Sequence, residues 1–489
     1  MVYGLPLGDS DHGQRAMTSS QRHVIWLFTA AVAARLAFHH LTGFIADDAF
    51  ITFRYARNLV AGLGFVYNAG EHVLGTSTPL FTLVLAMFAT SGVAPVAAAL
   101  VVSVISSGLT AMILYRWACS LRLMRLSVLP ALLYVLWPRS VAADACGMET
   151  AFFTLLVTAG LYFQHRRLQY YAIGMATLAT ATRPEGGILL LLLLAYNVLT
   201  DRTGWLRYLL IPAVLLGPWC AFSWYYFGSP VPNSIPAKLA LYSRFGAGSP
   251  WQTLVYVMAW HNAFGWLLTA AAVVGGWWLH RKQYFGRLEI VWMVSLILFF
   301  TLSPTRIFFW YIPPIYPVYL LFAAAALPWL LDRIASAGVD LSIRRQRAIG
   351  IAVTGALALL LAAGNIRPVA RYREYQQGLE SVHRQIGYYL YTHAEPDDLV
   401  AAEDIGYLGY YSKRRILDRD GLISPEVIPY NRQGAYGTAI LDFAPDWLVA
   451  ARSSPISGFL GDSVFLEQYR PETGFSALTW DYTVYSRRE

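Results

Sequence analysis

The sequence predicts a mainly α-helical protein: a polytopic transmembrane domain of about eleven spans, followed by a soluble α/β domain. Three observations predict it. Of 489 residues, 56% are hydrophobic and only 13% charged, with a mean hydropathy of +0.44, whereas soluble domains carry roughly 25% charged residues. Aromatic residues make up 15% of the chain, with 16 Trp, as expected where rings sit at lipid headgroups. The charge is also divided. Residues 367–489 hold 13 of the 37 Lys/Arg and 17 of the 29 Asp/Glu, leaving 24 basic and 12 acidic residues for 1–366. The front is therefore a membrane domain, and 367–489 is a soluble domain of ordinary size. An ordinary soluble enzyme and a disordered chain are excluded. Cys119, Cys146 and Cys220 lie far apart, so neither a disulfide scaffold nor a Cys-based metal site is expected. The net charge of +8 is not gathered into a basic run, and nucleic acid is not an expected partner.

Apolar runs near the length needed to cross hydrocarbon, with shorter ones allowed inside a bundle, fall at 24–44, 96–115, 127–142, 148–164, 169–182, 185–200, 207–227, 253–279, 288–303, 307–330 and 349–366. The run from Thr78 to Thr90 is short and begins with Pro79, so it is expected at the interface. Ala31-Val32-Ala33 imitates a signal-peptidase site, but the apolar pattern continues to Ile45, which argues for a retained first span.

Basic residues stay cytoplasmic in short loops. With the N-terminus inside, sixteen of the 24 fall in the cytoplasm: Arg15, Arg22, Arg116, Arg122, Arg125, Arg166, Arg167, Arg202, Arg207, Arg281, Lys282, Arg287, Arg333, Arg344, Arg345 and Arg347. Arg35 lies within the first span. Seven remain outside: Arg54, Arg57, Arg139, Arg183, Lys238, Arg244 and Arg306. An odd number of spans puts the tail on the extracytoplasmic or periplasmic side of a plasma (inner) membrane. Asp47, Asp48, Glu71, Asp144, Glu149 and Glu185 then share that external side, at or near span ends. Converging carboxylates there suggest a site, and exposed loop acids are the plainer explanation.

The first external loop, about 45–95, carries the chemistry. Asp47 and Asp48 open an amphipathic helix with Arg54 and Arg57 on one face, expected to lie flat at the interface. An N-cap role accounts for one aspartate but not for two. A carboxylate held at the mouth of an apolar domain suits a general base acting on a hydroxyl. With a lipid-linked sugar phosphate as donor, the phosphate is already a good leaving group. One base plus cations for the phosphate then suffices, unlike the carboxylate pair of glycoside hydrolysis. Lys238 and Arg306, each at a Pro-broken span end, are the candidate cations, with snorkelling at the headgroups as the alternative. Arg35, at membrane depth, is expected to be structural and paired with an acid.

Ordered motifs extend this reading. They are Asp47-Asp48-Ala49-Phe50-Ile51 with Gly62-Leu63-Gly64-Phe65-Val66-Tyr67-Asn68 and Gly75-Thr76-Ser77-Thr78-Pro79-Leu80, then Gly147-Met148-Glu149-Thr150 and Arg183-Pro184-Glu185-Gly186. Pro232-Asn233 with Ala237-Lys238 follows, and Asp404-Ile405-Gly406-Tyr407 with Asp418-Arg419-Asp420-Gly421-Leu422 lies in the tail. Together they resemble the GT-C superfamily of polyprenyl-phosphate-sugar-dependent membrane glycosyltransferases, most of all the AftB-type arabinofuranosyltransferase branch. The resemblance implies a GT-C-like fold, a catalytic base within Asp47-Asp48, and donor phosphate contacts from external loops, for which Lys238, Asn233 and Arg183 are candidates beside Arg306, a candidate by its span-end position. Glu149 and Glu185 become substrate-contacting candidates, joined by Arg54 and His72 of the first loop. The implied partners are a polyprenyl-phosphate sugar donor, an extracytoplasmic glycan, glycolipid or protein acceptor, and membrane lipids. Family loops often read Gly-Tyr-Thr-Asn-Pro-Leu-Trp where this chain has Gly75-Thr76-Ser77-Thr78-Pro79-Leu80-Phe81, a departure that leaves sugar and acceptor open. His39, His40 and His72 show no metal-ligand spacing. No cofactor is required, and a divalent cation bridging Asp47 or Asp48 to the donor phosphate stays compatible with the pattern.

In the tail, 382–391 reads as a helix, and 398–402, 415–418, 446–450 and 482–487 read as strands. Glu403, Asp404, Asp420-Gly421, Tyr407, Tyr410 and Tyr411 are candidates for holding an acceptor sugar chain. The leading reading is an inverting glycosyltransferase. A transporter or flippase is the rival from another class, weakened by the absence of an internal repeat and by acids placed at span ends. A catalytically inactive scaffold on the same fold is the third.

Overall fold

The computed structural model describes residues 19–121, 123, 126–245, 249–258, 263–282, 287–339, 342–454 and 456–488, without the side chains of 243–245 and 343. Arg15, Arg122 and Arg125, used above for orientation, lie outside the described residues, as does the side chain of Arg244.

Helices α1 (Ser19–Thr42), α2 (Asp47–Val60), α3 (Pro79–Thr90) and α4 (Pro95–Ser120) open the chain. The next apolar run is split. Trp137, the residue before Pro138, is held extended at φ −65°, ψ 116°, because a following proline disfavours the helical region. The run therefore becomes α5 (Leu129–Leu136) and α6 (Pro138–Ala145). Gly147, at φ +83°, then turns the chain between α6 and α7 (Thr150–His165), which meet at 117°; only glycine adopts that backbone freely. Helices α8 (Gln169–Thr182) and α9 (Gly186–Thr200) follow, with α10 (Trp205–Leu215) and α11 (Gly217–Phe227) bent 41° apart just before Pro218. Then come α12 (Ser234–Phe245), α13 (Pro250–Met258), α14 (Ala263–Arg281), α15 (Arg287–Thr301), α16 (Tyr316–Ser336) and α17 (Ile343–Gly364).

Every expected apolar run carries helix, and the runs differ in length, as the allowance for shorter helices inside the bundle anticipates. Among the described residues, five helices are individually long and apolar enough to cross a membrane, or up to seven if each bent pair is one span. The others are shorter. The 15 residues of α9 reach about 23 Å at 1.5 Å per residue, less than a bilayer core. Such helices are held by their neighbours: the largest core cluster runs from Leu27 and Trp117 through Leu189 and Trp292 to Leu320.

The tail begins as a continuation of a membrane helix. Arg344 to His393 forms one helical course of 50 residues. It runs through α18 (Ile366–Gly378), a π-helical turn at Leu379–His383 and α19 (Arg384–His393). Beyond it lie β1 (Leu399–Ala402), α20 (Ile405–Ser412), β2 (Arg415–Asp418), α21 (Ile428–Gln433), α22 (Tyr436–Phe443), β3 (Trp447–Ala451), α23 (Ser463–Gln468), β4 (Tyr469–Ala477) and β5 (Trp480–Arg487). The sheet order is β2-β1-β3-β5-β4. β1 is parallel to β2 and β3, while β5 is antiparallel to β3 and β4. The expected strands are present. β4 was not expected, because its polar residues and Pro471 hide the pattern; it occupies a sheet edge, with a bulge at Pro471/Thr473, where proline is tolerated.

Helix α2 departs from expectation in its surroundings. Nine of its fourteen residues are buried, so it does not lie on an open interface. Phe50 packs on Tyr407 of the tail at 4.0 Å between ring centroids, and Phe38, Phe53, Trp310 and Tyr407 share one core cluster. Membrane helices and tail are joined through this helix.

Candidate active site

The turn after α1 places the two aspartates. Gly43, at φ +64°, reverses the chain, and the Ala46 N–H donates to Cys146 O at 2.9 Å. Ala46 is the N-cap of α2 and supplies no side-chain hydrogen bond. Asp47 and Asp48 thus occupy the first turn and neither caps its own helix. Successive residues point about 100° apart around a helix, which sends the two carboxylates into different surroundings.

Asp47 faces the tail. Its Oδ2 accepts from Gly406 N–H at 3.0 Å and its Oδ1 from Tyr407 N–H at 2.8 Å. These are orphan donors at the N-terminus of α20, where a carboxylate also suits the helix dipole. The buried His383 Nδ1 lies 3.8 Å from Oδ1. A Cβ at Gly406 would collide with the Asp47 main chain, and one at Gly409 with Tyr67 and Arg54, so both glycines allow the close approach of α20 to α2.

Asp48 faces a cavity of about 710 Å³ lined also by Thr52, Thr76, Thr78, Glu149, Arg183, Glu185, Lys238, Trp310 and Tyr311. Burial raises the pKa of Asp48 to about 6; Lys238 pulls it down, while Asp47, Asp404 and Asp420 push it up. Lys238 Nζ donates to Tyr311 OH at 3.1 Å. Among the described residues it has no carboxylate within 4.0 Å, so its charge is open to a ligand. Arg183 is different. It is buried, 3.4 Å from Glu149, hydrogen-bonded to Glu185 Oε1 at 2.7 Å and to Trp310 O at 3.1 Å, and stacked 4.5 Å from the Tyr311 ring. Its charge is already answered by two carboxylates. Thr52, Thr76 and Thr78 hydroxyls form a ring of contacts at 3.4, 3.2 and 3.0 Å.

One wall of this cavity is apolar, through Ile188, Ile235, Leu239, Leu298, Phe299 and Leu302. Leu298, Phe299 and Leu302 are also 50%, 50% and 67% exposed, so the cavity opens sideways onto the outer surface of the helical bundle. A polar end with one unpaired cation and one basic carboxylate, joined to an apolar portal, fits a ligand with a charged head and a hydrocarbon tail.

The remaining candidates are dispersed. Asn233 does not line the cavity: its Nδ2 donates to Gly421 O and Leu422 O at 2.8 and 3.0 Å, holding the tail loop whose Leu422 forms part of the cavity wall. Arg306 is exposed beside the cavity, 5.6 Å from the Phe308 ring. Arg54 is buried and donates to Tyr67 O, Gly409 O and Arg414 O, so it joins loop to tail and makes no contact with the cavity. His72 stacks on Tyr226 at 4.1 Å. Of the six expected acids, Asp48, Glu149 and Glu185 line the cavity. Asp144 is fully buried against Arg35 at 2.9 Å, which gives Arg35 its expected partner, and Glu71 pairs with Arg415 at 2.6 Å. Tyr407 is buried, with its OH accepting from Gln376 at 2.8 Å, and is therefore part of the packing. Among the described residues, no three of His, Cys, Asp and Glu converge as metal ligands. Tyr311 and the Trp310 carbonyl were not expected from sequence; the aromatic run Phe308-Phe309-Trp310-Tyr311 was the available signal.

Comparison with known proteins bears on the fold. The structure of ArnT from Cupriavidus metallidurans bound to undecaprenyl phosphate aligns with a TM-score of 0.61 at 14% identity, covering 95% of this chain and 97% of that one. This chain has the fold of ArnT. The apo state of the same ArnT aligns with a TM-score of 0.60 at 15% identity, over 96% and 98% of the two chains. Arabinofuranosyltransferase AftD from Mycobacteria aligns at 0.49 and 14% identity, over 94% of this chain and 40% of that one. Residues 365–485 match a family profile described as a domain of unknown function, DUF8728. No curated protein matches the chain. The GT-C-like helical fold with a small C-terminal sheet, expected from the motifs, is the one observed.

Proposed function

We propose that the protein is an inverting membrane glycosyltransferase that moves a sugar from a polyprenyl-phosphate donor to a hydroxyl of a glycan, glycolipid or protein acceptor. The observation that carries this reading is that Asp48 and Lys238 line one cavity with an apolar side opening. ArnT, with the same fold, was captured with undecaprenyl phosphate, which supports a prenyl chain in the portal. Its phosphate sits at Lys238, and the sugar lies among Glu149, Glu185 and the threonine hydroxyls, with Arg183 fixing the two glutamates. Asp48, ionised above pH about 6, takes the proton of the acceptor hydroxyl as its oxygen attacks the anomeric carbon. The bond from that carbon to the phosphate oxygen breaks, and Lys238 stabilises the departing polyprenyl phosphate. One displacement with one base inverts the anomeric centre. Arabinofuranose is the best candidate sugar, on the strength of the sequence motifs. The setting is the plasma (inner) membrane, with the N-terminus cytoplasmic and the tail outside.

The test is transfer by the wild-type protein in nanodiscs from a panel of polyprenyl-phosphate sugars to extracytoplasmic acceptors. Transfer from one donor with inversion supports the reading. Its absence, together with movement of a lipid-linked sugar across sealed vesicles, would replace it with transport.

A further inference from the structure

A second cavity, of about 510 Å³, lies between the end of α2 and the tail, away from Asp48 and Lys238. Its charged lining is Arg54, Arg57, Lys413, Arg414 and Arg415 against a single acid, Asp397. Two of these cations are buried, Arg54 at 4% and Arg414 at 8% exposure. Arg54 donates to main-chain carbonyls and the Asn68 amide, and its guanidinium lies 4.1 Å from the Tyr67 ring centroid. Arg414 donates to Ala394 O and Tyr391 O. Among the described residues neither has a carboxylate within 4.0 Å, and the same holds for Arg57 and Lys413; only Arg415 is paired, with Glu71. Buried charges in proteins are ordinarily paired, because removing an ion from water without a counter-charge is unfavourable. Hydrogen bonds to carbonyls satisfy the N–H groups and leave the positive charge unanswered. Lys413 adds a second sign of a built site. It adopts φ +54° at the end of α20, a backbone usually left to Gly or Asn, and its ammonium sits at the mouth, 5.2 Å from the Tyr391 ring.

We infer that this cavity binds an anionic phosphate group, held by Arg57 and Lys413 at the mouth over the field of Arg54 and Arg414. Arg57 lies nine residues beyond Asp48 on α2, about 14 Å along the helix. The phosphate is carried either by a lipid headgroup or by a soluble phosphorylated molecule. The inference stands on the charge distribution and does not depend on sugar transfer.

The experiment uses full-length protein carrying Lys238→Ala, so that the one cation left in the first cavity is Arg183, which is already paired with Glu149 and Glu185. It measures binding of inorganic pyrophosphate, short-chain phosphatidylglycerol and short-chain phosphatidylcholine. Either anionic probe is expected to bind saturably, and at least tenfold more weakly after Arg57→Gln with Lys413→Asn. Asn accepts the left-handed backbone of position 413, so Lys413→Asn alone, with unchanged melting temperature, supplies the folded control and should weaken binding at least threefold. Tighter binding of phosphatidylglycerol than of pyrophosphate identifies a lipid headgroup; the reverse identifies a soluble phosphate. No saturable anion binding, equal binding of phosphatidylcholine, or affinities unmoved by the substitutions would overturn the inference.

Discussion

The two sides of α2 are built from the same kinds of residue and do different work. On the tail side, Asp47 receives two main-chain N–H groups and Arg54 fills three main-chain carbonyls. The hydrogen bonds of both side chains are committed there to joining the tail to the membrane helices. On the cavity side, Asp48 meets an unpaired lysine, and burial leaves its carboxylate unusually basic. A charged group becomes available for chemistry when the fold leaves it unsatisfied, and adjacency in sequence says nothing about which of two neighbours that will be.

The sharpest way to break this contrast is at Asp48. Asp48→Asn is expected to lower sugar transfer by roughly 10²- to 10⁴-fold, the range for loss of a general base, with donor binding retained in a direct binding assay. Lys238→Ala should follow, lowering kcat/KM by about 10²-fold through lost stabilisation of the leaving phosphate, seen in steady-state kinetics over donor concentration. The base must be ionised, so activity should fall as pH drops through about 6, by about tenfold per pH unit below it. A pH–rate profile of wild type checks the position of that limb. Asp47→Asn should instead loosen the tail by about 1–2 kcal/mol, the scale of a cap and dipole contribution. It should appear as faster proteolysis between helices and tail, with turnover per folded molecule within about threefold. The smallest effect is expected at Arg306, exposed beside the cavity, where Arg306→Ala should change rate by no more than about twofold.

The fold class and the order of its parts are legible in sequence because the apolar, weakly charged stretch forms the helical bundle and the more charged tail forms the small sheet domain. The span lengths are less so. Apolar composition does not show that Pro138 divides the 127–142 run into two short helices, or that the chain turns by 117° between α6 and α7 at Gly147. At the site, the adjacent Asp47 and Asp48, the Glu149 and Arg183-Glu185 motifs and Lys238 all stand out, since charges at apolar span ends are rare enough to notice. Their division of labour does not. Arg54 reads like a surface arginine on an amphipathic helix, and nothing local reveals that the tail folds back over it. Asp47 is claimed by the N-terminus of α20, nearly 360 residues away in the chain. Tyr311 and the Trp310 carbonyl are equally silent, because a main-chain oxygen or a phenol gains its role only from what the fold puts beside it.

The central claim is that Asp48, and not Asp47, is the base. It is tested most directly by measuring single-turnover transfer for Asp47→Asn and Asp48→Asn side by side in nanodiscs, with donor saturating and the folded fraction of each known. Near-normal transfer by the Asp47 variant and a loss of at least about 10²-fold in the Asp48 variant is the expected result. The reverse ranking, or equal loss in both at equal folded fraction, would contradict it.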